Sequence, residues 1–109
     1  MADIVEASDA ITTFISAISK EIFLNDDYCR SAVLHKLTII GEAAANLPAA
    51  FREVHPSVQW RAMIGFRNVA VHKYFALDWT MVWVAASEQV PQLRRQIAAI
   101  LDAEFGGDP

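Results

Sequence analysis

The sequence predicts an all-α fold, an up-and-down bundle of four principal helices with short helical segments between them. Three observations lead there. Apolar residues recur at spacings of three and four along most of the chain, no run alternates apolar and polar residues long enough to make a strand, and capping residues precede the periodic runs. With 109 residues the chain has room for one domain, residues 1–109, whose tail from about 105 to 109 is expected to fray.

The first helix is read from Ile4, Ala7, Ile11, Phe14, Ile15, Ile18 and Ile22, which fall on one stripe. Asp3 stands where its N-cap would be, with Glu6 three residues on in capping-box position. Asn25-Asp26-Asp27 ends that stripe and can cap a second helix, which turns Ala32, Leu34, Leu37, Ile40 and Ala44 inward and stops near Asn46-Leu47-Pro48. Gly41 inside it costs roughly 1 kcal/mol against alanine, so a close helix–helix approach is expected there. A short segment from Ala49 to Val54 closes at His55-Pro56, and Ser57 offers the cap of a third long helix bearing Trp60, Met63, Ile64, Val71 and Tyr74. Asp78 can cap a last helix carrying Trp79, Val82, Trp83, Ala86, Val90, Leu93, Ile97 and Leu101. Pro91 within it removes one backbone donor and is expected to bend it.

An apolar fraction of 54% with a net charge of only −4 excludes a disordered chain. It is also rich for so small a domain, which has much surface and little interior, and an obligate partner would use the surplus. The longest uncharged stretch, Ala10 to Ser19, falls short of the roughly 18 residues of a membrane span. The start, with Asp3, Glu6 and Asp9, lacks the basic residues of a signal peptide. Cys29 stands alone and reads as a small buried apolar residue, which fits a cytoplasmic protein. The acidic balance speaks against a nucleic-acid binder held by bulk charge. Yet the charge is uneven: residues 1–27 carry −5, residues 28–75 carry +4, and residues 76–109 carry −3. The basic middle holds Arg30, Lys36, Arg52, Arg61, Arg67 and Lys73 against Glu42 and Glu53, and could attract phosphate locally.

Within that block, Arg67-Asn68-Val69-Ala70-Val71-His72-Lys73-Tyr74 gathers polar side chains in a helix otherwise built from core residues. On a helix Asn68 and His72 lie one turn apart on one side, Arg67 and Tyr74 share another, and Arg67 and His72 point about 140° apart. A straight helix therefore does not readily aim both at one phosphate. A local break would do so, and so would a two-fold dimer with the motif helices facing each other, the arrangement the apolar surplus favours. The residue types suit metal-free RNA cleavage. His72 can take the proton of a ribose 2′-hydroxyl or give one to the leaving 5′-oxygen. Arg67 can clamp a phosphate and stabilise the charge that grows on it, and Asn68 can orient the imidazole or the phosphate. Lys73, Arg61 and Lys36 are further cations for RNA. On spacing alone, a core histidine and an arginine paired with a carboxylate explain the same residues.

The order of these motifs resembles the HepT-like family of HEPN-domain proteins, small helical ribonuclease toxins of toxin–antitoxin systems, over nearly the whole chain. Ile39-Ile40-Gly41-Glu42-Ala43-Ala44 is similar to the family's second-helix signature, and Trp60 through Asn68 to the run entering its active site. Arg67, His72 and Tyr74 match Arg-x4-His-x-Tyr, and Asp78 with Val82-Trp83 matches the segment after it. The resemblance implies a homodimer whose composite site, with Arg67, Asn68 and His72, cleaves RNA without metal. It also implies, as partner, a minimal nucleotidyltransferase antitoxin that in some systems transfers AMP to the motif tyrosine, here Tyr74. Lys73 stands where Gly, Asp or Glu is common in the family, and Val69-Ala70-Val71 is more apolar than in many relatives.

The other candidates are plainer. His35 reads as a helix-surface residue and His55 as a loop residue, and with the single cysteine they form no metal-ligand pattern. Glu42 can face the motif helix and pair with Arg67. Trp60, Trp79 and Trp83 sit at core spacing and read as packing. No Gly-rich phosphate loop is present, so a nucleotide substrate is not expected, and no cofactor is called for. The alternative function is a non-catalytic helical subunit that binds a nucleotidyltransferase through its basic motif.

Overall fold

The computed structural model describes residues 1–104, apart from the side chains of Val71 and Tyr74. The expected frayed tail therefore lies outside the described residues. Helices α1 (Ala2–Ile15), α2 (Lys20–Asn25), α3 (Asp27–Ala45) and α4 (Ala49–Val54) lead into α5 (Trp60–His72). A 3₁₀ turn over Tyr74–Ala76 then precedes α6 (Trp79–Val84), a π-helical turn (Ala85–Gln89) and α7 (Val90–Glu104). Among the described residues there is no strand. The long helices α1, α3, α5 and the α6–π–α7 rod are the four members of the bundle, with α3 packed against both α1 and α5, and α1 against α7.

In α1 the stripe Ile4, Ala7 and Ile11 is buried, and with it Ser8, whose hydroxyl donates to the Ile4 carbonyl at 2.7 Å. Met1 occupies the N-cap with no side-chain bond, so Asp3 lies in the first turn and does not cap; there its charge favours the helix dipole. The apolar stripe does not continue to Ile22 as one helix. Ser16 donates to the Thr13 carbonyl at 3.0 Å, and Ser19 Oγ accepts from the Ile22 amide at 3.2 Å, opening α2. These local hydroxyl bonds compete with the helical ladder and end it. As a result Phe14 and Ile22 are exposed, while Phe23 enters the core fully buried. It packs against Trp79 and Trp83, with ring centroids at 6.5 and 5.3 Å.

Asp26 caps α3 by accepting from the Cys29 amide at 3.0 Å. Leu34, Leu37, Ile40 and Ala44 face the core as expected; Ala32 is only partly covered, and Val33 is the buried residue of that turn. Cys29 is partly exposed rather than buried. Desolvation and then the Asp26 carboxylate push its thiol pKa up.

Ser57 does not cap α5. Residues 55–59 form a tight turn, with Val58 N donating to His55 O and Trp60 N to Val58 O. That turn buries Val58 and delays the helix to Trp60, whose indole donates to His55 O at 3.0 Å. Helix α5 also ends earlier than expected, at His72, where Lys73 N donates to Val69 O at 2.7 Å. Tyr74 therefore follows the helix, and the sharing of one helical side by Arg67 and Tyr74 does not hold. Asp78 caps α6 by accepting from Thr80 N and Met81 N at 3.0 and 3.4 Å. Just before Pro91 the backbone widens into the π turn, with Val90 N donating to Ala85 O, so the helix is disturbed one turn ahead of the proline.

Candidate active site

The site begins with a glycine. A Cβ added to Gly41 would lie 2.6 Å from Arg67 Cβ and 2.6 Å from the Met63 carbonyl oxygen, so α3 and α5 touch backbone to backbone here. This is the close approach for which the sequence keeps a helix-weakening residue. It sets the next residue, Glu42, directly beside Arg67.

Glu42 Oε2 accepts from Arg67 Nε at 2.9 Å and Oε1 from Arg67 Nη2 at 3.3 Å, a two-bonded carboxylate–guanidinium pair. Arg67 Nη1 donates to Asn68 Oδ1 at 3.0 Å. Three of the five guanidinium N–H groups are thus used, and two remain for an incoming anion. The Arg67 side chain is 35% exposed, so those donors are reachable from solvent. Asn68 is exposed, and its amide nitrogen has no partner among the described residues.

His72 is exposed in the last turn of α5, one turn beyond Asn68 on the same side. The helix is unbroken from Trp60 to His72, which removes a local break as the means of uniting Arg67 with His72. Within one chain they diverge by about 140°. Asn68 stands between them, bonded to one and sharing a face with the other.

Arg61 is exposed on that same face, and Lys73 follows His72 at the helix end. Lys36 is placed elsewhere, in a shallow groove with Asp3, Glu6 and Ala7 of α1. The side chain of Tyr74 lies outside the described residues; its backbone forms the 3₁₀ turn two positions after His72. His35 is exposed on α3, and His55 packs on Phe51 with its Nε2 3.8 Å from Glu104 Oε1. Among the described residues no three His, Cys, Asp or Glu side chains gather to hold a metal ion, and no helix is long and apolar enough to cross a membrane.

Two residues that spacing did not single out also border the site. Arg52 of α4 and Gly65 of α5 line an open groove of about 820 Å³ that reaches Asn68. The signal for Gly65 was present, since it lies four residues after Arg61 and three before Asn68. Arg52 comes from a separate helix, and the turn at 55–59 that brings it near leaves no periodic mark.

The motif helix is also the least covered of the long helices. Of its described side chains only Trp60 is buried, although Ala62, Met63, Ile64, Phe66, Val69 and Ala70 follow. Ala62, Gly65, Phe66 and Val69 line an apolar groove with Met81 and Val84 of α6, and Met81 is 62% exposed.

Comparison with known proteins identifies the family. The family model described as Ribonuclease HepT-like matches residues 4–100. A protein of Thermococcus cleftensis named probable ribonuclease HepT is 39% identical over 92 residues, covering 84% of each chain. Proteins named putative RNase in Methanocaldococcus jannaschii and Caldanaerobacter subterraneus are 36% identical over 98 residues and 37% identical over 90 residues. These alignments cover 90% of both chains in the first case, and 83% of this chain and 80% of the relative in the second. No solved structure matches the chain significantly. The chain belongs to the HepT-like ribonuclease family.

Proposed function

We propose that the protein is a metal-independent endoribonuclease that acts as the toxin of a cytoplasmic toxin–antitoxin pair, with Arg67, Asn68 and His72 as its catalytic residues. The observation that carries this reading is the braced guanidinium. Glu42 holds Arg67 from one side, and two N–H groups stay available beside Asn68 on an exposed face that also bears His72.

In this mechanism Arg67 clamps the scissile phosphate and stabilises the charge that builds on its oxygens. His72 accepts the proton of the ribose 2′-hydroxyl as the 2′-oxygen attacks phosphorus. The bond from phosphorus to the 5′-oxygen breaks, and that oxygen takes up a proton from a second histidine. The products are a 2′,3′-cyclic phosphate and a free 5′-hydroxyl. A two-fold homodimer would bring His72 of one chain to Arg67 of the other and supply the second His72, and the thinly covered apolar face of α5 and α6 supports such an association. Lys73 and Arg61 add positive charge for RNA on this face. Lys36, beside Asp3 and Glu6, contributes to it only as a distant cation.

A minimal nucleotidyltransferase is the proposed antitoxin. It would transfer AMP from ATP to the Tyr74 hydroxyl with release of pyrophosphate, putting a bulky anion beside the site that blocks RNA by size and charge. A growth assay tests the reading. The chain expressed alone should arrest growth, and both co-expression of the nucleotidyltransferase and His72→Ala should relieve the arrest. Loss of RNA cleavage in a folded His72→Ala protein is the expected biochemical result. Equal cleavage by wild type and mutant sinks the assignment, and absence of toxicity in every arm favours a non-catalytic binding subunit. Mass increments of one AMP, lost in Tyr74→Phe, test the modification.

A further inference from the structure

We propose that the open groove between α4 and α5, floored by Gly65 and flanked by Arg52 and Arg61, is the track along which the RNA backbone runs away from the scissile phosphate. It rests on the ribonuclease reading of Arg67, Asn68 and His72 and says where the rest of the substrate lies.

Charge is the first support. The groove's polar residues are two arginines and the amides of Gln59 and Asn68, with no carboxylate, in a chain whose net charge is −4. Arg30, Arg67 and Arg94 each pair with an acid, whereas neither Arg52 nor Arg61 has a carboxylate partner among the described residues. Arg52 Nε is buried with no hydrogen-bond partner.

Continuity is the second. Arg61, Gly65, Asn68 and His72 follow one another at steps of four, three and four on an unbroken helix, which keeps them within about 40° of one line. The groove ends at Asn68, the residue bonded to the phosphate clamp. From Arg61 to His72 the line runs about 16 Å, the length of a few nucleotides.

Gly65 itself is the third. A Cβ placed there meets no atom within 4 Å, so no packing inside the chain asks for glycine, in contrast to Gly41. A bare point on a half-exposed helix face lets another backbone approach closely. A sugar–phosphate chain is the backbone whose charge suits the two arginines beside it.

The test measures binding of a fluorescein-labelled single-stranded 2′-O-methyl RNA, which lacks the attacking hydroxyl, to the full chain across a salt series. Arg52→Ala and Arg61→Ala should each weaken binding about five- to tenfold and lower the slope of log affinity against log salt by about 0.7. Gly65→Leu should weaken it comparably with helicity and melting temperature unchanged or raised. Arg95→Ala, the same charge change on the exposed face of α7, should leave affinity unchanged. Wild-type affinity in both arginine variants, or an equal loss in Arg95→Ala, overturns the track. So does a Gly65→Leu protein that changes oligomeric state by light scattering yet binds RNA normally, since the bare glycine then seats a second copy. A failure of the catalytic reading shows separately, as cleavage that survives His72→Ala, while the binding series still reads the groove.

Discussion

Gly41→Ala should destabilise the protein and impair catalysis together. In an ordinary helix interior this change stabilises, by about 1 kcal/mol. Here the new methyl group would lie 2.6 Å from Arg67 Cβ and from the Met63 carbonyl oxygen, and 3.4 Å from the Arg67 amide nitrogen. Ordinary contact begins at 3.4 Å, so α3 and α5 must part by about 0.8 Å, and neither obstacle is a flexible side-chain tip that could swing away. Overpacking of this kind costs about 1–3 kcal/mol. Because the clash is with a backbone oxygen and a Cβ fixed to the backbone, the upper end applies, and the net loss is about 2 kcal/mol after the helix-propensity gain. At about 4–8 °C per kcal/mol for a domain of this size, the melting temperature should fall by roughly 10 °C, measured at fixed protein concentration. The same displacement stretches the 2.9 and 3.3 Å bonds from Glu42 to Arg67, so RNA cleavage should drop further than the unfolded fraction explains. Gly65→Ala is the matched control: with no atom within 4 Å it should raise stability by about 0.5–1 kcal/mol. If Gly41→Ala stabilises the protein as much as Gly65→Ala does, the close α3–α5 contact is wrong, and with it the account of how Arg67 is held.

The other expectations are smaller in scope. Glu42→Gln keeps one acceptor for Arg67 but removes the charge, so kcat should fall about tenfold while RNA binding is unchanged or tighter. Stability should move by under about 1 kcal/mol, because the pair is 35% and 49% exposed; an unaltered kcat would show that Glu42 does not brace Arg67 for catalysis. Asp78→Ala removes the acceptor of two amides at the start of α6 and should cost about 1 kcal/mol in urea denaturation, with Asp78→Asn recovering most of it. The Cys29 thiol, with its pKa raised by burial and then by Asp26, should alkylate more slowly at pH 8 in the folded protein than after unfolding. By linkage, a thiol pKa raised in the folded state supports stability below its unfolded pKa and loses that contribution as pH climbs past it. Cys29→Ser should therefore flatten the alkaline limb of a stability–pH curve, and an unchanged limb would refute the effect.

What could be read from the chain alone was what local chemistry decides. Asp26 and Asp78 cap the helices they precede because an N-cap needs only a side-chain oxygen and the next few amides. Gly41 was legible as a close approach, and Glu42 as the partner of Arg67, because an unfavourable residue and an unpaired charge each demand a reason. The break at Ser16–Ser19 was hidden, since the isoleucines keep helical spacing across it while hydroxyl bonds end the ladder. The failed cap at Ser57 and the delayed start of α5 depend on burying Val58, a tertiary effect. Of the candidate site, the placing of Arg67, Asn68 and His72 on one helix was readable, because a single periodic run carries them. The groove from Asn68 to Arg52 was not, because it needs α4 and α5 brought together.

The π turn sets where the last helix can change length. From Ala85 to Val90 the backbone spends one residue more than an α-turn would, and Pro91, next in line, has no N–H to give. Deleting one residue between Ala85 and Gln89 would close the turn while leaving Val82 before it, and Leu93 and Ile97 after it, facing inward. The same deletion early in α7 would rotate the rest of that helix by about 100° and turn Ile97 outward. A plain α-helix here would drive the Pro91 ring against the carbonyl one turn back, so the shortened chain needs Pro91 replaced as well. The extra residue and the proline thus act as one structural unit, and removing the first calls for replacing the second.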